Sequence, residues 1–134
     1  MKQILFLIIG MLIATTSHAE ISAWNCPAEI DGQPELIEKQ IEKALKENQL
    51  EVAAQFASNC ATFGSLIDVS LLSGINEAFY AKLKKKLQKA EMQVMNKFLS
   101  NCAKRGNKSG GTLGRSEGAH CMLKVYEGFY AGSL

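Results

Sequence analysis

Four cysteines, Cys26, Cys60, Cys102 and Cys121, have the widest chemical repertoire in this chain, and their spacing narrows it. No two of them form a Cys-x-x-Cys pair, so dithiol exchange lacks its motif. Zinc is disfavoured as well, because no two thiols lie close enough for a chelating knuckle and His120 is the only histidine past residue 18. In an oxidising compartment, an even set of thiols in a small chain reads instead as two disulfides. Three pairings are possible. The preferred one joins Cys102 to Cys121 across a glycine-rich segment, and Cys26 to Cys60, tying an N-terminal arm to a helix. Each link would stabilise the fold by about 3 kcal/mol through the unfolded chain's lost freedom.

Other chemistry finds less support. A nucleophile needs a base held by a third group, and His120 has no adjoining acid. Glu35, Glu38 and Glu42 recur at helical spacing and form a wet stripe, not the buried carboxylate pair of a glycosidase. Ser109-Gly110-Gly111-Thr112 lacks the downstream Lys-Ser/Thr of a phosphate-binding loop. No catalytic, metal or cofactor site is therefore expected, and the chain reads as a non-enzymatic binding protein. Its candidate contacts are Ser109, Gly110, Gly111, Thr112 and Arg115 in the glycine-rich segment, with Glu35, Glu38 and Glu42 as an acidic face.

The charges are unevenly spread. Residues 20–68 hold nine acids and three bases, a net −6, whereas residues 69–134 hold four acids and eleven bases, a net +7. The split either steers a charged partner or pairs helices within the fold. Lys82, Lys84, Lys85, Lys86 and Lys89 read as a solvated face, since a nucleic-acid site would add aromatic or arginine partners.

The start of the chain sets its destination. Lys2 precedes an apolar run from Ile4 to Ala14, and Ser17-His18-Ala19 is a small-x-small cleavage site. The run is about 11 residues, against roughly 20 for a spanning helix, so residues 1–19 are expected to be a cleaved signal peptide. Glu20 follows the cut where a lipoprotein would need cysteine. The mature chain, 20–134, is then one periplasmic or secreted domain without a membrane span.

The elements that must position these residues are helical throughout, giving an all-α, disulfide-stapled bundle of about four helices. Pro34 opens a helix with Ile37, Ile41 and Leu45 on one side, and a second follows from about Leu50, so residues 34–62 form a hairpin. Residues 65–102 form one long helix or two, with Ser73-Gly74 as the soft spot. Ile75, Phe79, Leu83, Leu87, Val94, Phe98 and Cys102 draw its apolar stripe. Five glycines make residues 104–118 a loop, and residues 117–130 form a last helix with Cys121, Val125 and Phe129 on one face. Such stripes suit a monomer or a homodimer alike.

From Asn59 onward, the order Cys60-Ala61, Ile75-Asn76, Phe79-Tyr80, Leu83, Leu87, Gln93, Cys102, Gly110-Gly111-Thr112 and Cys121 resembles the lysozyme inhibitor-like (LprI-like) family of small bacterial envelope proteins. The chain would be a divergent member, with Met95, Asn96, Phe98 and Leu99 where the family carries tryptophan and Arg-Asp. The resemblance implies an all-helical envelope protein and inhibition of a lysozyme. Two other roles fit the same features: an immunity protein against a toxin delivered to the periplasm, or a secreted effector or envelope-structural protein.

Overall fold

A few residues set where each helix starts and stops. In the computed structural model, which describes residues 24–132, helix α1 spans Pro34–Lys46. The expected signal peptide at 1–19 and its cleavage lie outside the described residues. Pro34 suits the first turn of α1, where an N–H would be unpaired, and Glu35 sits at the positive end of the helix dipole. Asn48 then reverses the chain at φ 57°. The Gln49 N–H donates to the Ala44 carbonyl at 2.8 Å and the Asn48 N–H to the Leu45 carbonyl at 3.2 Å, the bonds of a Schellman turn.

Helix α2 (Leu50–Cys60) follows at once, and α3 (Leu66–Lys86) is capped by Ser65, whose hydroxyl accepts from the Ile67 N–H. Helix α4 (Lys89–Ser109) begins after Leu87-Gln88, where the Gln88 N–H donates to Glu91 Oε2 at 2.7 Å. Helix α5 (Gly111–Ala131) completes the set. The described residues thus hold five helices and no strand, one helix more than the expected four. The run from 65 to 102 divides at Leu87, which turns to extended backbone, while Ser73 and Gly74 lie inside an unbroken α3.

The α1–α2 hairpin packs on α3, and α5 lies between α3 and α4. Helices α3 and α5 run parallel, since Asp68 meets Ser116 near their starts and Lys86 reaches the Tyr130 carbonyl near their ends. Helix α4 runs antiparallel to α5, joined by Cys102–Cys121 and by the Phe98–Phe129 ring contact at 6.2 Å. The core is apolar side-chain mass: Ile37, Ala53, Leu72, Ile75, Phe79, Leu83 and Leu123 are buried, with Phe79 between the Tyr126 and Tyr130 rings.

Both preferred disulfides are present. Cys26–Cys60 has a Cα–Cα distance of 5.0 Å and Cys102–Cys121 one of 5.5 Å, each ordinary for a crosslink. The first fixes the arm before α1, where Trp24 also meets Phe56 in a T-shaped contact with ring centroids 4.9 Å apart.

The expected loop at 104–118 is corrected by the structure. Only Gly110 separates α4 from α5. Gly110 and Gly111, at φ 72° and 60°, reverse the chain, and Gly106, Gly114 and Gly118 sit inside the helices where the two backbones meet. A Cβ on Gly106 would lie 2.5 Å from the Gly114 carbonyl oxygen, so this approach excludes any side chain.

Candidate binding surfaces of the α4–α5 hairpin

Glycine contact and the disulfide together make the end of this hairpin narrow and stiff. Residues 107–113 are all exposed, as is Arg115, while Gly106 and Gly114 behind them are buried. Ser109, Gly110, Gly111, Thr112 and Arg115 are therefore brought together as a helical tip instead of a flexible loop. Gly106, Asn107, Gly110, Gly111, Thr112 and Arg115 line a shallow cavity of about 350 Å³ there. Ser109 donates its hydroxyl to Glu117, bracing the two helices across the turn.

On one flank, α4 and α5 enclose an open groove of about 1030 Å³. Phe98, Val125 and the Cys102–Cys121 link form its apolar part; Arg105, Lys108 and Lys124 give its cationic rim, and Glu117 is the one acid on it. The sequence stripe misplaced this surface. Helix α4 buries Met95, Cys102 and Gly106, whereas Val94 and Phe98 stay 50% and 43% exposed. Helix α4 carries two adjacent apolar sets: Met92-Met95-Leu99-Cys102 packs against the core, while Val94 and Phe98 stay largely exposed and Phe98 meets Phe129 of α5.

Beside the groove, a polar cluster was missed altogether. Asp68, only 1% exposed, accepts from the Phe63 N–H at 3.0 Å, the Gly64 N–H at 2.7 Å and the Ser116 hydroxyl at 2.7 Å. His120 Nε2 lies 2.7 Å from the Ala61 carbonyl oxygen and 4.0 Å from Asp68. Serine, aspartate and histidine thus meet, but the serine proton points at the carboxylate and the imidazole at a backbone carbonyl. A serine nucleophile needs the imidazole between the other two. This cluster caps α3 and ties it to α5, because an aspartate at the third helical position can hold the N–H groups that precede the helix.

The acidic face lies elsewhere. Glu35, Glu38 and Glu42 are exposed on α1, on the side away from buried Ile37 and Ile41. The structure does not join them to the hairpin tip in one site. Among the described residues no group of three or more His, Cys, Asp or Glu is placed to hold a metal ion, and no helix is long and apolar enough to cross a membrane.

At the foot of α5, burial raises the Glu127 carboxyl above its ordinary value, partly offset by Lys124. Burial also raises the Tyr126 hydroxyl, with Tyr80 adding to it. Neither group lies at the tip or among the residues that line the groove. No protein family, curated protein or solved structure matches the chain.

Proposed function

We propose that this chain is an exported, non-catalytic binding protein that inhibits a lysozyme or related cell-wall hydrolase by offering the α4–α5 tip to the enzyme's cleft. The observation that carries this reading is the tip itself: exposed, cationic at Lys108 and Arg115, and held rigid by backbone contact and a disulfide. Glycoside hydrolases flank the scissile bond with a pair of carboxylates, so a narrow cationic wedge complements their cleft. Rigidity lowers the ordering cost of entering it.

The resemblance to lysozyme inhibitor-like proteins points the same way. Lysozymes are commonly basic overall, and the acidic face of α1 at Glu35, Glu38 and Glu42 would speed encounter with such an enzyme. Two disulfides suit an oxidising compartment, the periplasm or the outside of the cell.

The test is turnover of cell-wall substrate by purified lysozymes with the oxidised protein added. Stoichiometric inhibition is expected, weakened at least about tenfold by Arg115→Glu. Full enzyme activity at a large molar excess, across several lysozyme types, overturns the reading.

A further inference from the structure

Among the described residues helix α4 packs chiefly on α5, which leaves one flank of it without a neighbouring helix. That flank carries Val94, Phe98, Asn101, Arg105 and Lys108 at spacings of three and four, the pattern of a helix face made to pack. Across the groove, α5 supplies Val125, Lys124 and His120. The floor is apolar around Phe98 and Val125, and the rim is cationic at Arg105, Lys108 and Lys124.

We propose that this groove is a docking site for an amphipathic helical segment of a partner protein, with a bulky apolar residue seated at Phe98 and carboxylates facing Arg105, Lys108 and Lys124. Charge complementarity selects the acidic flank. The apolar floor selects a peptide over a simple polyanion, which would leave the exposed Phe98 ring uncovered by anything apolar. Helical form follows from the walls. Both are helices whose backbone groups are bonded internally, so no free strand edge exists for an extended peptide to pair with, and affinity must come from side chains that a helix presents on one face. From Phe98 to Lys108 the groove runs about 15 Å, the length of about three helical turns.

Other occupants fit less well. In a second copy, the acidic helix α1 has already buried Ile37 and Ile41, so it offers carboxylates without an anchor. Residues 1–23 contain one acid, Glu20, and offer the reverse. The groove shares Lys108 with the tip, but Phe98 and Lys124 belong to the groove alone and Arg115 to the tip alone, so variants at these three positions separate peptide docking from hydrolase inhibition.

Fluorescence anisotropy tests it with the full oxidised protein and a labelled synthetic helix of about three turns, leucines along one face and glutamates on both flanks. Saturable binding is expected. Phe98→Ser and Lys124→Glu should each weaken it at least about tenfold, while Arg115→Glu leaves it unchanged. Both altered side chains lie on the open groove, and an unchanged circular dichroism spectrum shows that the fold is retained. Equal affinity for a peptide with glutamine in place of glutamate overturns the proposal. So does binding that survives Phe98→Ser, or displacement of the peptide by inorganic polyphosphate whose own affinity does not depend on Phe98, which would make the groove a polyanion site.

Discussion

The two halves of this molecule are held together by opposite means. Where α1 and α2 meet α3, side chains fill the space: Ile37, Ile41, Ala57, Leu72 and Ile75 are buried, and stability comes from apolar area removed from water. Where α4 meets α5 toward the tip, side chains are absent and the backbones touch at Gly106, Gly114 and Gly118. A backbone contact buries little apolar surface, and there the disulfide supplies what packing does not. Cys102–Cys121 spans 19 residues of sequence and Cys26–Cys60 spans 34, so loop entropy alone separates the two links only slightly. They differ in what they hold: one anchors an irregular arm to a packed helix, the other braces a thin hairpin whose outer surface is exposed.

Asp68 ties the two halves at one end of the α3–α5 seam through its bond to Ser116, and removing it should have the largest effect. Asp68→Ala strands two backbone N–H groups and a buried hydroxyl, an expected loss of about 3 kcal/mol in urea unfolding. A loss below about 1 kcal/mol would mean water replaces the carboxylate and that the halves do not depend on it. Next comes the backbone contact. Gly114→Ala gains helix propensity of about 1 kcal/mol, but its Cβ would collide with the Gly106 carbonyl oxygen, and overpacking of that kind costs about 1–3 kcal/mol or more. Net destabilisation is expected by the same measurement. A stabilised variant would show that α4 and α5 part easily.

Gly118→Ala sharpens the contrast because it should act in the opposite direction. Its Cβ would sit 3.7 Å from the Cys102 carbonyl oxygen, ordinary contact, so helix propensity decides and the protein should gain about 0.5 kcal/mol. If Gly118→Ala destabilises as much as Gly114→Ala, the backbones lie too close for a side chain along the whole seam and not at Gly106 and Gly114 alone.

These glycines also mark how far the sequence could be read. The helical class, the α1–α2 hairpin and both disulfides follow from apolar spacing, Pro34 and the thiol count, since each signal is local or combinatorially small. The α4–α5 hairpin did not follow. Glycine signals a loop when read alone, and its use as a helix-contact residue depends on a partner helix that the sequence does not announce. Asp68, Ser116 and His120 come together only because α3 and α5 run parallel, a tertiary fact with no trace in spacing. The groove at Phe98 was hidden because α4 carries two adjacent apolar sets, of which one packs against the core.

The smallest expected effect probes the foot of α5, the end of the helix farthest from the Gly106–Gly114 contact. Burial raises the Glu127 carboxyl in the folded protein, which therefore binds its proton more tightly than the unfolded chain does. The stability this group contributes is fully present below the unfolded glutamate pKa, about 4.3, and is lost as pH rises through the higher folded value. Glu127 is partly exposed, so solvent screening keeps the effect to a few tenths of a kcal/mol at most, on the order of a surface charge pair. Urea midpoints of the native protein and of Glu127→Gln across this pH range should converge at the acidic end and diverge toward neutrality, with the glutamine variant the more stable. Parallel curves would place Lys124 close enough to cancel the burial, which would remove one of the three cations offered to the groove's partner.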